Sequence, residues 1–393
     1  MIFRVLNIFL IIVSSGGIVF QMYGEYLTLL IFMLTLLLFL TTKSSRLNKR
    51  LFFSFIFLSF FFISYLLLTM IYFNDLQILL SLKLFMRFFF IGLLVIYYYS
   101  IGFDILKNDI YLVLKIILML SIINFIIINL FDGLFVNISN NKINVHTLYY
   151  LFNYISKTNV EYFDIYRNQG MFWEPGVLQV FLNILVYLSL YIYKEKYIFI
   201  LATLTVLSTF STIGIFILTV LILNFYLRKQ KSSFLKKMSI VLTILIPIII
   251  ILYINIMEKF YGSGIHSSGL RYLDFVFGLE VISKHPLLGI GFDPLKYKVL
   301  VNNSILNFTD LSSSIVLDRG NTNSFISIAI FFGIPVFLFT IYGLYFQKIF
   351  IQNKNLLFLI ISLTLISEPV ILTNFFLLLI ISSLVNEKRL KTL

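Results

Sequence analysis

KRLFFSFIFLSFFFISYLLLTMIYFND, residues 49–75, opens on two cations and closes on Asn74-Asp75. No charged side chain lies between Leu51 and Phe73. An α-helix rises about 1.5 Å per residue, so the run is about 35 Å long, enough to cross a hydrocarbon core of about 30 Å. Lys43, Arg46, Lys49 and Arg50 stand at its start, and such basic clusters stay on the cytoplasmic side. The stretch reads as a transmembrane helix leaving the cytoplasm. Its neighbours repeat the pattern.

The whole chain has the same character. It is 60% hydrophobic and 12% charged, with a mean hydropathy of +1.01. A soluble fold cannot hide that much apolar surface, so the repeated long runs define a polytopic membrane protein. The first run follows Arg4 directly and shows no small-residue cleavage site, unlike a cleavable signal. With no cysteine, the sequence excludes disulfides, a thiolate nucleophile and cysteine-ligated metal.

Two spans precede the basic cluster, about Val5 to Phe20 and Tyr26 to Leu40, with a turn at Gly24-Glu25. The N-terminus is therefore expected inside. The fourth span is Ile78 to Tyr99 and the fifth Ile110 to Leu130. Asp132 to Trp173 follows, roughly 40 residues rich in asparagine (Asn137, Asn140, Asn141, Asn144). Loops of that length are usually lids or binding segments. The sixth span runs from Pro175 to Lys194-Glu195-Lys196.

Lys196 and Arg228 both read as cytoplasmic, with only about 31 residues between them. Two short spans fit there, turning at STFSTIG, Ser208 to Gly214. A second apolar pair lies between Lys348/Lys354 and Lys388/Arg389/Lys391, turning at Glu368-Pro369. Backbone groups in such turns need protein or water partners, so both turns are expected to border a cavity. The ninth span is about Ile240 to Met257, and the tenth about Asn323 to Phe346. The expected fold is an all-α polytopic membrane protein of about 12 transmembrane helices. It forms one domain, 1–393, with outer segments at about 131–174 and 258–322 and both termini cytoplasmic. No internal repeat of 20–50 residues is visible.

The formal net charge is +13. Of the 30 Lys and Arg, 19 fall on the inner side of this topology with four acidic residues, while the outer segments carry nine basic and 13 acidic residues. The excess is a topology signal. Without a recognition motif on a basic face, it gives no reason to expect nucleic acid.

Polar chemistry concentrates in RNQGMFWEPG, Arg167 to Gly176, which holds the chain's one tryptophan, Trp173. Arg167 and Arg271 are candidate anion ligands, because a guanidinium presents a planar fork to phosphate oxygens. The bland alternative for each is a structural ion pair or a headgroup contact. Arg271 opens an amphipathic helix expected from about Gly269 to Lys284, capped by Ser268. Asp274 is a local partner, and Glu280-Lys284 an i,i+4 pair. That helix should end at His285-Pro286. Glu174, just before Pro175, is either a base acting on a sugar hydroxyl or ordinary helix-start chemistry. Lys83 and Arg87 lie one turn apart inside the fourth span. They would line a path for an anionic headgroup, or else snorkel or pair with Asp75. No HExxH, P-loop or GxSxG is present, and the three histidines lack ligand spacing, so no metal site is expected.

These elements together resemble the O-antigen polymerase and O-antigen ligase superfamily of bacterial envelope glycosyltransferases, of Wzy type. Arg167, Gly170, Phe172, Glu174 and Pro175 are similar to its R-x-x-G-x-F-x-E-P element. Arg271 to Gly291, ending in HPLLGIGF (His285 to Phe292), resembles its second loop signature. TNSFISIAIFFGIP, Thr322 to Pro335, resembles the start of the following span, and STFSTIG the turn of the short pair. The resemblance implies a GT-C-like, multi-pass protein of the bacterial cytoplasmic membrane. It would polymerise polyprenyl-diphosphate-linked oligosaccharide repeats, without cofactor or metal, into O-antigen, capsular or exopolysaccharide.

The partners it implies are the lipid-linked glycan donor and acceptor, the bilayer and a chain-length regulator. Arg167 and Arg271 would hold the carrier diphosphate, with Lys83 and Arg87 completing the cradle. Glu174 and His285 are the candidate bases, and Trp173 and Asn323 the residues orienting the acceptor. Ligases carry histidine where Thr322 stands, which favours polymerase over ligase. The family often has arginine where Thr212 stands, so one phosphate contact is missing. A ligase of the same superfamily and a lipid-linked oligosaccharide flippase are the alternatives.

Overall fold

The computed structural model describes residues 1–42, 49–73, 78–140, 143–154, 166–229, 253, 265–305 and 321–385 of the 393-residue chain. The basic residues 43–46, Asn74-Asp75, the expected ninth span apart from Tyr253, and the anchor at 388–391 lie outside them.

Helix dominates, as expected of a multi-pass membrane chain. In order, the helices are α1 (Ile2–Val13), α2 (Ile18–Leu40), α3 (Lys49–Phe73), α4 (Ile78–Ile101), α5 (Phe103–Leu130) and α6 (Pro175–Tyr187), which continues as a π-helical turn, Leu188–Ile192. They are followed by α7 (Lys196–Ser208), α8 (Thr212–Lys229), α9 (Ile265–Lys284), α10 (Pro294–Ile305), α11 (Ser324–Tyr345), α12 (Lys354–Ser367) and α13 (Asn374–Ser382). Among the described residues, six apolar helices are long enough to cross a bilayer: Ile18–Leu40, Leu51–Tyr72, Ile78–Ile101, Phe103–Leu130, Pro175–Ile192 and Ser324–Tyr345. α1, α7, α8 and α12 are apolar but shorter. The two short helix pairs form where expected, with breaks after Ser208 and Ser367.

Three expectations on boundaries are corrected. The expected turn at Gly24-Glu25 is a kink inside α2, with Tyr23 at φ −123° and ψ 27°, and the chain breaks earlier, at Ser14–Gly17. The reason is a distant partner. Gly17 pairs with Phe172, Ile18 N–H donates to Met171 C=O at 3.0 Å, and Trp173 N–H to Gly16 C=O at 2.9 Å. Second, Ser268 is not a cap but lies inside α9, which starts at Ile265. Third, the Asn-rich segment after α5 is not all loop. It contains a short 3₁₀ turn, Asp132–Leu134, and an antiparallel sheet, β1 (Val136–Asn140), β2 (Ile143–Leu148) and β3 (Phe152–Tyr154), in the order β1-β2-β3.

The β2–β3 turn places Tyr149 and Tyr150 at φ 53° and 58°, closed by Leu151 N–H on Leu148 C=O at 3.3 Å. The loop between the paired Leu148 and Phe152 has three residues, and its two left-handed ones form a type I′-like turn, which ordinarily selects Asn-Gly. Each tyrosine there is strained by on the order of 1 kcal/mol.

The chain divides into two compact units. The first comprises Met1–Leu30, Lys107–Ser268 and Gln352–Thr364; the second comprises Ile31–Leu106, Gly269–Ile351 and Leu365–Leu393. In the first, α6 is buried along its whole length, with α7 and α8 packed on it. The sheet covers the start of α2, where Ile18, Met22, Ile138, Val145 and Tyr150 line a small apolar recess. At the far end of α5, Arg4 pairs with buried Asp109 at 3.1 Å, and Lys115 with Glu195 at 3.3 Å. In the second unit, α13 is buried throughout, with α4 and α11 against it. Phe277, Val281, Ile290, Tyr297, Val301, Ile326 and Ile330 form a core joining α9, α10 and α11.

Candidate functional site

In the first unit, RNQGMFWEPG forms a loop between helix ends. α1 and α7 have 12 and 13 residues, so each reaches only about 18–20 Å at 1.5 Å per residue. Both end among buried residues, Val13 and Ser15 at one and Thr209 at the other, where terminal backbone groups need partners. The loop supplies them. Phe172 and Trp173 serve the α1–α2 break, as above. Asn168 N–H donates to Ser208 C=O at 3.0 Å. Arg167 Nε and Nη2 donate to the carbonyls of Thr209 and Phe210 at 3.2 and 3.3 Å. A cation at a helix C-terminus stabilises by roughly 0.3–1 kcal/mol, more when partly buried. RNQGMFWEPG and STFSTIG therefore meet, and Arg167 has a structural task there.

Asn168 sits at the centre. Its amide donates to Ser121 C=O and Ser208 Oγ, both at 3.0 Å, and its Oδ1 accepts from Asn124 Nδ2 and Gly170 N–H, both at 3.1 Å. Two donors and two lone pairs are thus all used. Asn124 also accepts from Asn153 N–H at 2.9 Å, and Asn153 Nδ2 donates to Gly170 C=O at 3.1 Å. This asparagine relay ties the sheet, α5 and the loop into one body. Asn124, Asn153 and Asn168 are fully buried.

Glu174 occupies the N-cap position of α6, yet its side chain makes no capping hydrogen bond. Proline at the first helical position needs no acceptor there, since it has no N–H. The Glu174 carboxylate and Trp173 are half-buried. Glu174 thus stands where helix-start chemistry puts a carboxylate, beside the N-terminus of α6 and just before Pro175, without capping it.

In the second unit, the start of TNSFISIAIFFGIP caps its own helix and also holds a turn. Asn323 Oδ1 accepts from Phe325 N–H and Ile326 N–H at 3.0 and 3.2 Å, an N-cap for α11. Ser324 Oγ donates to Glu368 C=O and accepts from Val370 N–H and Ile371 N–H at 2.9 and 3.2 Å. So the start of a long helix fastens the turn of the following short pair, as Asn168 does in the first unit. Ser324→Ala leaves the buried Ile371 N–H without its acceptor and takes one of two acceptors from Val370 N–H, which also donates to Glu368 C=O at 2.9 Å. It is expected to cost about 1–3 kcal/mol, read as earlier thermal unfolding in detergent.

Asp274 does not serve Arg271 in the way expected: its Oδ2 accepts from Thr322 N–H and Oγ1 at 3.2 and 2.9 Å. Asn321 bridges Asp274 C=O and Tyr297 Oη at 2.8 and 3.1 Å. Arg271 is half-buried, three residues before Asp274 on α9. Glu280 and Lys284 form their expected pair at 2.6 Å.

HPLLGIGF and FFGIP also meet. α11 breaks at Gly333 (φ 77°, ψ 174°), two residues before Pro335. Ile290 N–H donates to Ile330 C=O, and Ile334 N–H to Pro286 C=O, both at 2.8 Å. Tyr65 Oη on α3 donates to Leu288 and Phe332 carbonyls at 3.1 and 2.7 Å. Backbone groups freed by the break are thus satisfied by the loop that begins at His285, itself half-buried. On α4, Lys83 is exposed and Arg87 half-buried.

Arg167, Trp173 and Glu174 thus belong to the first unit, and Lys83, Arg87, Arg271, His285 and Asn323 to the second. Glu368 entered the sequence reading only as a turn marker. It is 4% exposed, and among the described residues only Asp109 is an equally buried charged side chain. A lone carboxylate inside an apolar run was the signal for it. Among the described residues, no group of three His, Asp or Glu side chains could hold a metal ion. No family model matches the chain, and neither a curated protein nor a solved structure is significantly similar to it.

Proposed function

We propose that the chain is a membrane glycosyltransferase that polymerises polyprenyl-diphosphate-linked oligosaccharide repeats into an envelope polysaccharide. What supports this reading is which segments fold together. The four stretches that carry the family resemblance pack in two pairs, RNQGMFWEPG with STFSTIG and HPLLGIGF with TNSFISIAIFFGIP. Segments distant in sequence, each rich in polar or helix-breaking residues, are held by buried hydrogen bonds inside an apolar chain.

In the proposed reaction, an acceptor sugar hydroxyl attacks the anomeric carbon of the donor. The bond to the carrier diphosphate breaks, and the hydroxyl proton passes to a base. The leaving diphosphate develops charge that fixed guanidinium groups stabilise, so Arg167 and Arg271 are proposed as its ligands and no metal is required. Glu174 is favoured over His285 as the base, because its carboxylate is not spent on capping α6.

Arg167 also holds the STFSTIG turn, so its loss mixes catalysis with stability. Arg271→Ala is the cleaner test. It is expected to abolish long polymer in cells while the protein still inserts at normal levels, and a normal chain-length ladder would sink the assignment. Glu174→Gln removes no cap bond and is expected to change stability by less than about 0.5 kcal/mol. It should nonetheless stop polymer growth, measured as ladder length against expression level.

One observation favours a second reading. A span broken at mid-length, with its freed backbone groups served by another loop, is a feature of transporters. In a deletion strain, a flippase predicts single lipid-linked repeats on the inner leaflet, whereas a polymerase predicts them on the outer leaflet.

A further inference from the structure

The exposed apolar surface of α5 does not stop where the helix stops. Leu112, Ile116, Met119, Ile123, Ile126 and Leu130 are 38–68% exposed and recur at steps of four and three. That spacing makes one continuous stripe on a membrane-crossing helix, a lipid-facing stripe. It runs on past the helix end. Phe131, Leu134 and Val136 are 55, 58 and 66% exposed, and they lead through the 3₁₀ turn into β1. The register pairs Val136 with Thr147, so the β2–β3 turn stands at this same end of the sheet. There Tyr149 is 81% exposed. Tyr150 meets Tyr23 of α2 edge-on at 5.8 Å, and Tyr26, one turn further along α2, is 77% exposed.

We propose that this end of the sheet, from Phe131 to Val136 with Tyr149 at the hairpin tip, is a lipid-binding face lying in the membrane–water interface. Its occupant is the bilayer itself, because its apolar side chains continue the stripe of α5, with only Asp132, which accepts from Tyr166 Oη at 2.8 Å, and Gly133 between Phe131 and Leu134. Tyrosine suits that depth, with an apolar ring and a hydroxyl for the headgroup layer. The same placement gives a reason for the strained turn. Asn-Gly would relax the backbone but place no aromatic ring at the tip. Packing on Tyr23 accounts for Tyr150, and headgroup contact accounts for Tyr149. The sheet is tied to the RNQGMFWEPG loop through Asn153, so a membrane-seated sheet would hold that loop at a set depth.

The chain has no cysteine, so single cysteines report without background. Val136→Cys and Tyr149→Cys in the full chain would each carry an environment-sensitive fluorophore, in phosphatidylcholine vesicles with or without lipids bearing a nitroxide near the headgroup. Asn137→Cys, exposed on the opposite face of β1, is the comparison. The expected result is blue-shifted emission at 136 and 149, most of it lost with nitroxide lipid, and water-like, weakly quenched emission at 137. Val136 and Tyr149 signals no bluer and no more quenched than that of Asn137 would overturn the proposal. That outcome would also point to a protein, rather than lipid, covering this face. Neither result depends on the chain being a glycosyltransferase.

Discussion

Asn168→Ala is expected to lower stability by about 3–5 kcal/mol, as much as truncating a fully buried phenylalanine such as Phe172 or Phe181. The residue is fully buried and uses every donor and lone pair of its amide on four groups, from α5, α7 and its own loop. Alanine deletes all four bonds and leaves Asn124 Nδ2, Gly170 N–H and Ser208 Oγ without that partner in a dry interior. Water cannot easily replace the amide there. Thermal unfolding in detergent, compared with wild type, should show a large loss of midpoint and a poor yield of folded protein. Asn168→Asp is expected to be nearly as harmful, because it keeps the acceptor but lacks the two donors. A variant within about 0.5 kcal/mol of wild type would mean that the relay does not hold the loop.

Gly333→Ala should act as strongly in the second unit. Gly333 sits at φ 77° and ψ 174°, a region open essentially to glycine alone. A Cβ there would lie 2.2 Å from Leu287 O, a backbone atom that cannot swing aside. Its counterpart Gly289 (φ 64°) would place a Cβ 2.4 Å from Ile330 O. The two glycines let a loop and a broken helix approach backbone to backbone, and each substitution is expected to cost about 3–5 kcal/mol. Gly133→Ala, with no atom near its added Cβ, is the matched control and should stay within about 0.5 kcal/mol of wild type. The check is the difference in unfolding midpoint between the three variants in one detergent.

Much of the helical frame was legible because bilayer crossing imposes length and apolarity together. Leu51–Phe73 needed no partner to be read. The short pairs were legible from charge alone, since Lys196 and Arg228 stand too close for one span and a return. What failed was any boundary set by a distant contact. The break at Ser14–Gly17 carries no charge and was missed, whereas the charged Gly24-Glu25 pointed to within a residue of the kink at Tyr23. Only the Trp173 N–H bond to Gly16 and the Phe172 pairing reveal the break.

The sheet was missed for another reason. INVHTL alternates, with Ile143, Val145 and Thr147 on one face, but asparagine enrichment was read as loop and the period of two passed over. In the candidate site, Arg167 and Glu174 stood out as a cation and a carboxylate in an apolar chain. The structural work of Arg167 was not visible, because its hydrogen bonds to Thr209 and Phe210 depend on a turn some forty residues on. That Asn323 is the N-cap of α11 was likewise not read from the sequence.

The central claim is that this chain joins lipid-linked repeats. The direct measurement is reconstitution of the purified chain in vesicles, supplied with lipid-linked repeats extracted from a deletion strain. Products would be sized on a gel and released polyprenyl diphosphate assayed alongside. The account predicts a ladder spaced by one repeat, release of polyprenyl diphosphate in step with bond formation, and neither product from Arg271→Ala. Repeats that stay single and keep their carrier, whether or not they change leaflet, would contradict it.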